Sequence, residues 1–255
     1  MTKKLNFEQI KADLDFAYEK YNQWNFIADD PISIPHLFDQ KQDIEVIGFI
    51  MATISWGKRN SIIKNGHRLV EIMGNEPYRY ITEASEEDLK DLSFVHRTFN
   101  AQDLAFFILA LREIYKNDSD GLQNAFSVGE DTKTKIFNFR KQFLRTPHEN
   151  RSEKHISNPF TGSASKRINM FLRWMVRKDQ RGVDFSLWDK FSSSELYIPL
   201  DVHTGNVARN MGLINRKQND WLALEELMKT LRKFDDKDPC KYDYALFGLG
   251  VWGDE

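Results

Sequence analysis

The sequence predicts an all-α protein. Apolar residues recur at three- and four-residue steps along most of its length, strand-like alternation is scarce, and no internal repeat or Pro/Gly-rich linker interrupts the pattern. Phe7, Ile10, Leu14 and Tyr18 define a first amphipathic helix. Ile44 to Trp56 is the most apolar run; it contains Glu45 and falls short of the roughly 20 residues that span a bilayer, so it reads as a buried helix. Ile62, Ile63, Leu69, Val70 and Met73 mark the next. Asn100, three residues before Asp103, suits the start of a helix carrying Leu104, Phe107, Ile108 and Leu111, and Thr132 to Leu144 follows as another. The later helices are expected at Ser165 to Lys178, His203 to Met211, Asp220 to Lys233 and Lys241 to Val251, about ten in all. His148 to Thr161 is the one clearly polar, loop-like passage, of the kind that is more often functional or mobile than idle.

A chain of 255 residues with 41% hydrophobic and 13% aromatic residues can bury a large core, as one domain or two modest lobes. Cys240 is the only cysteine, which excludes an internal disulfide, a Cys-based zinc site and a four-thiolate iron–sulfur cluster. No His or acid pair at ligand spacing predicts a metal. The opening stretch, MTKKLNFEQIKADLDF, has no uninterrupted apolar run for a signal peptide, so a cytoplasmic protein without a membrane partner is expected. The sequence sets no oligomeric state. The net charge of −2 argues against polyanion binding by the whole surface. From Lys166 to Arg181, however, six cations (Lys166, Arg167, Arg173, Arg177, Lys178, Arg181) meet one acid (Asp179), a local excess of +5 that suits either an oriented nucleic-acid face or a solvated helix.

Two segments carry candidate chemistry. In Gly162-Ser163-Ala164-Ser165-Lys166-Arg167, a glycine turn feeds a helix, where backbone N–H groups and the positive end of the helix dipole favour a phosphate. In Pro199-Leu200-Asp201-Val202-His203, a carboxylate follows an apolar stretch and sits at a helix start, which favours its ionised form. Taken alone, the first is an ordinary cap and the second an ordinary N-cap with a helix-start histidine.

In this order the two segments resemble the helix-hairpin-helix DNA glycosylase superfamily, which includes endonuclease III and the 8-oxoguanine glycosylases. There a hairpin of the form L-P-G-V-G-x-K leads into the helix of the catalytic lysine, and a downstream P-V-D-T-H or P-V-D-V-H motif supplies the catalytic aspartate. Gly162, Lys166 and Asn169 match the first motif; Pro199, Asp201, Val202 and His203 match the second, with Leu200 for its valine. Glu45 to Ala52 resembles the family's early buried helix, whose end enters the DNA, here near Ser55 and Trp56, and Tyr244 to Gly250 resembles its late apolar helix ending in Leu-Gly. SKRINMFLRWMVR and PLDVHTGNVARNMGL are similar to a group of bacterial proteins of unassigned activity. Three departures stand out. Ala164 replaces the second hairpin glycine, which argues against a hairpin-bound monovalent cation; the distance from Lys166 to Asp201 requires an insertion around Asp179 to Glu195; and the sequence stops at Glu255, about where endonuclease III begins its cysteine cluster.

The resemblance implies one helical domain over residues 1–255, made of two lobes around a cleft, with no cofactor. It implies a DNA N-glycosylase, with possible abasic-site lyase activity, acting on duplex DNA that carries a damaged base. Asp201 would stabilise the positive charge that develops on the sugar, and the neutral amine of Lys166 would attack the anomeric carbon. Gly162, Ser163, Arg167, Trp56 and His203 would contact DNA, with Trp56 a candidate to fill the gap left by an extruded base. The competing expectation is a non-catalytic nucleic-acid-binding module on the same fold; a third is an enzyme acting on another nucleotide or nucleic-acid substrate.

Overall fold

A computed structural model describes residues 6–116 and 118–253. The chain is mostly helical; its longer helices fall where the apolar spacing predicts them, and three short ones, at Pro77–Glu83, Glu86–Lys90 and Gly121–Phe126, are not among those expected. They run α1 (Phe7–Tyr21), α2 (Lys41–Ile54), α3 (Arg59–Ile72), α4 (Pro77–Glu83), α5 (Glu86–Lys90), α6 (Ala101–Tyr115), α7 (Gly121–Phe126), α8 (Thr132–Phe143), α9 (Lys166–Val176), α10 (Val202–Asn210), α11 (Trp221–Phe234) and α12 (Tyr242–Trp252). One hairpin, β1 (Val95–His96) with β2 (Phe99–Asn100), pairs Val95 with Asn100 and His96 with Phe99 across the Arg97-Thr98 turn. Strands of two residues leave no alternation to read, which is why the sequence does not announce them. No described helix is long and apolar enough to cross a membrane.

The fold separates into two compact units. The first comprises the described residues of 1–26 and 159–255, the second those of 27–158. The second unit is built around phenylalanine. Phe126 stacks on Phe139 with centroids 3.7 Å apart, while Phe49 meets Phe139 edge-on at 5.3 Å and Phe107 meets Phe143 at 5.0 Å, the offset and tilted geometries that ring quadrupoles favour. Several polar groups buried in this unit are hydrogen-bonded. Tyr115 donates to the wholly buried Glu45 carboxylate at 2.7 Å. Asn100 and Asp103 form a reciprocal capping box that starts α6.

Asp103 also accepts from Ser152 Oγ at 2.6 Å and Arg151 Nη1 at 3.0 Å, with His155 Nε2 at 3.3 Å. Burial alone would raise the Asp103 pKa, but these bonds and the Asn100 N–H hold it below its ordinary value. The passage expected as polar and loop-like, His148 to Thr161, is therefore tied down at Arg151, Ser152 and His155. It forms a 3-10 helix, Asn150–His155, whose Ser152 and His155 are buried against that carboxylate.

In the first unit α12 packs mainly against α1 and α10. The fit against α1 is close: a Cβ on Gly248 would stand 2.2 Å from the Tyr21 ring, so only glycine is accommodated there. Trp174, Trp221, Tyr242 and Tyr244 fill the interior. The insertion between α9 and α10 carries one short 3-10 turn, Ser193–Glu195, and crosses the end of α9, where Phe185 N–H bonds Trp174 O at 2.8 Å and Trp188 packs edge-on to Phe171 at 5.4 Å.

In the second unit Phe49 meets Phe107, Phe126, Phe139 and Phe143, so replacing it by Ala is expected to lower unfolding free energy by about 3–5 kcal/mol. Val95, 60% exposed, should tolerate alanine within about 0.5 kcal/mol. Denaturant unfolding midpoints of the two variants check this; equal losses would disprove the assignment of the core.

Candidate functional site

Three helices of the first unit begin close together. The chain enters α9 through Gly162 (φ +93°) and Ser165 (φ +48°). Nothing lies within 4 Å of a Cβ added at Gly162, so glycine is needed there for its backbone conformation and not for space. Ser165 is an L-residue held in the left-handed region, a strain of about 1–3 kcal/mol that surrounding bonds must hold. Ser165 N–H donates to Ser163 Oγ at 3.1 Å, and Asn169 Nδ2 donates to Ala164 O at 2.9 Å. The turn is fastened to the start of α11 by a bridge between Ser163 and Asp220, with Trp221 N–H bonding Gly162 O at 3.0 Å.

Asp201 caps α10, accepting from Thr204 N–H at 2.8 Å through Oδ1. Its carbonyl accepts from Asn219 Nδ2 at 2.8 Å, and Arg209 Nη2 holds the other end of that amide at 2.5 Å. The approach depends on Gly205, where a Cβ would come within 2.6 Å of Asn219 Oδ1. These constraints leave Asp201 Oδ2 free to face α9, and Lys166 Nζ lies 3.3 Å from it. The lysine side chain is 37% exposed and the carboxylate 12%, so the pair is reachable from solvent on the lysine side. Three buried oxygens beside it, Ser165 Oγ, Asn169 Oδ1 and Thr204 Oγ1, have no partner among the described residues. Large apolar side chains stand exposed on the three flanking segments: Phe160, Val202 and Leu222.

The two sequence motifs thus meet in one place. Gly162 is exposed at the turn and Ser163 half-buried. Arg167 is half-buried, and burial pushes its guanidinium pKa down to about 10. His203 is exposed on the first turn of α10; its Nδ1 donates to Gly250 O at 3.3 Å, where a Cβ on Gly250 would touch His203 Cβ at 3.0 Å. The α12 helix continues past Gly250 to Trp252 and does not end at the Leu-Gly step. Trp56 belongs to the second unit. Half-buried beyond α2, it carries the Arg97 guanidinium 4.5 Å above its ring, and its carbonyl accepts from His96 Nε2 at 3.0 Å.

The expected basic stripe is only partly a surface feature: Lys178 is exposed and Lys166, Arg167 and Arg181 are half-buried. Arg173 and Arg177, four residues apart and so on one face of α9, point inward. Arg173 pairs with Asp184 at 3.2 Å and with Asp243; Arg177 pairs with Asp179 at 2.5 Å, Asp184 at 3.0 Å and Asp238 at 3.0 Å. Arg181 pairs with Glu19. Apart from Asp179, the acids that neutralise the stripe arrive from outside the 166–181 window, so local charge counting overstates what solvent meets. Sequence reasoning also passed over Asn219 and Asp243. Asp243 had a signal, as the one acid in an apolar helix.

No group of three or more His, Cys, Asp or Glu side chains able to hold a metal occurs among the described residues. Residues 30–252 match a family described as "Protein of unknown function (DUF2400)". No curated protein and no solved structure matches the chain.

Because Asp201 is both a cap and a member of the pair, its roles separate by substitution. Asp201→Ala should cost about 1 kcal/mol of stability by loss of the cap, whereas Asp201→Asn keeps an acceptor for Thr204 and should stay near wild type. Thermal melts decide; equal loss in both variants would mean that the charge, not the cap, stabilises the fold.

Proposed function

The chain belongs to the DUF2400 family, whose function is unknown, and on the geometry of its first unit we propose that it is a DNA N-glycosylase with abasic-site lyase activity. The observation that carries the reading is the single one of Lys166 Nζ and Asp201 Oδ2 3.3 Å apart at two helix starts, partly open to solvent. Its order along the chain is that of the helix-hairpin-helix glycosylases that the two motifs resemble.

In the proposed reaction the C1′–N bond of a damaged nucleotide breaks and its electron pair leaves with the base, which takes up a proton. Asp201, ionised and fixed by Thr204 N–H, stabilises the positive charge building on the sugar more in the transition state than in the ground state. Lys166, after giving up one ammonium proton, forms a bond from Nζ to C1′; ring opening then gives an imine that permits strand cleavage by elimination. The Gly162 turn and the start of α9, which has no side-chain cap from Ser165, offer N–H groups to a phosphate. The unpartnered oxygens of Ser165, Asn169 and Thr204 offer acceptors for a bound nucleotide or its waters. Exposed Phe160, Val202 and Leu222 suit the apolar faces of unstacked bases. Duplex DNA would be held by few cations, since Arg173 and Arg177 are consumed internally.

Incubation with duplexes carrying single damaged bases or abasic sites, followed by borohydride, is expected to give a covalent adduct on Lys166. Lys166→Gln should abolish it. Asp201→Asn should retain the fold and slow base release on the order of 10²-fold, the size expected when one stabilising group is lost from a developing charge. Equal adduct in wild type and Lys166→Gln would remove Lys166 from the reaction. Duplex binding with neither adduct nor base release on any substrate would favour the non-catalytic nucleic-acid-binding module, in which the same pair is a structural ion bridge.

A further inference from the structure

The second unit presents an exposed basic face that the reaction above does not use. Residues 57–70 hold Lys58, Arg59, Lys64 and Arg68 and no acid, and residues 92–102 add Arg97, again without an acid. On a chain of net charge −2, these two runs concentrate positive charge. The fold brings them together. Buried His96 of β1 accepts through Nδ1 from Asn65 Nδ2 of α3 at 2.8 Å, and its Nε2 therefore donates to Trp56 O, just beyond α2, at 3.0 Å. Arg68 Nη2 donates to Ser93 O, shortly before β1, at 2.6 Å. These bonds hold the hairpin against the outer side of α3.

Lys58, Lys64, Arg68 and Arg97 are exposed, and none of them meets a carboxylate among the described residues. This is the reverse of α9, where Arg173 and Arg177 are paired with buried Asp184. Lys64 and Arg68 stand one turn apart on the same side of α3, with about 5–6 Å between Cβ atoms. Lys58 directly precedes α3, whose start has no capping side chain and no acid in its first turn, so the helix dipole adds to the field. The face ends at Arg151, which bonds Thr98 O at 2.8 Å but is neutralised by Asp103 and Glu149.

Arg97 is set apart by its conformation. It occupies a two-residue hairpin turn at φ +56°, which glycine or asparagine adopts with less strain. Its guanidinium lies 4.5 Å from the centre of the Trp56 ring, and Gly57 (φ +112°) leaves the room, since a Cβ there would come within 3.0 Å of Arg97 Nη1. One face of the guanidinium is thus covered by the indole while its N–H edge is left to solvent. That planar fork matches a phosphate in bidentate fashion.

We propose that the turn after α2, the outer side of α3 and the β1–β2 hairpin form a docking surface for duplex DNA, one that grips the phosphate backbone without reading bases. Lys58, Lys64 and Arg68 supply charged contacts, and Arg97, propped on Trp56, supplies a directed one. The choice of DNA as partner rests on the reading of this protein as a DNA glycosylase; the surface itself needs no chemistry at Lys166. An anionic membrane fits less well. The cations are interspersed with exposed Asn60, Ser61 and Thr98, the polar groups that commonly bond phosphates, and Val95 is the one large apolar side chain exposed on these segments.

The test is fluorescence anisotropy of a labelled, undamaged duplex with the full-length protein over a range of salt concentrations. Wild type should show a slope of log affinity against log salt of about −3 to −4, the value for about four phosphate contacts at about −0.9 each. Lys58→Gln and Lys64→Gln should each flatten that slope by about 1 and weaken binding alike for every duplex sequence. Arg97→Gly suits the positive φ, so the turn is kept while the contact is lost, and affinity should fall about tenfold. Exposed Lys141 of α8 is the control, and Lys141→Gln should leave the slope unchanged.

Slopes unchanged in Lys64→Gln and Arg97→Gly, or no binding of the duplex by wild type, would overturn the proposal, as would capture of phosphatidylserine vesicles through these residues in preference to DNA. Borohydride trapping at Lys166 with unaltered slopes in the variants would sink the surface alone. Weakened binding in the variants, with no trapping on any damaged duplex, would leave the surface standing and sink the glycosylase reaction.

Discussion

The Arg173 guanidinium is the constraint on which the first unit depends. It is planar, permanently charged and wholly inside the protein, so the fold must bring acceptors to it from several directions. The insertion after α9 brings Asp184, α12 brings Asp243, and the Tyr244 ring covers its face. Each partner fixes one neighbour of α9, and the orientation of α9 decides where Lys166 stands. Removing one carboxylate would leave the buried guanidinium to the other alone, and removing both would leave a buried charge unpaired, which costs far more than the intact pairs contribute.

The site itself is assembled by close approach. Helix starts repel one another through their dipoles, and here three are gathered into one region. Carboxylates offset that repulsion, Asp201 on α10 and Asp220 on α11, each accepting from its own first turn. The α9 helix lacks such a cap from Ser165, and Lys166 meets a neighbour's carboxylate instead. Gly205 and Gly250 are the clearances that let Asn219 and His203 reach their places. A methyl group at Gly205 would displace Asn219 and loosen the Asp201 carbonyl without touching either charged residue.

Much of the fold was legible because it is local. Helices such as α6, α8 and α11 have the apolar step, an Asn or Asp cap and the length that together leave little alternative, and Asn100 with Asp103 gave the capping box directly. The pairing of Lys166 with Asp201 was legible only as an order of motifs, since nothing within either segment measures a distance to the other. The basic stripe was misread for the same reason. Arg173 and Arg177 look solvent-facing until Asp184, Asp238 and Asp243 are known to lie against them, and those partners are seven to seventy residues away. Asn219 was invisible because an amide acting on a backbone carbonyl leaves no pattern in sequence.

The first unit is made of two stretches separated by the whole of the second, and its helix α1 packs on α12. During synthesis α1 emerges first and then waits for more than two hundred residues before its partner exists, while every contact of the phenylalanine core is already available. Contacts of such long separation form late and slowly. The second unit can therefore condense on the ribosome, whereas the lysine and the carboxylate acquire their common setting only after translation of α12. For that interval the apolar face of α1 stands uncovered, and it is there that a nascent chain of this design is exposed to chaperones and to aggregation.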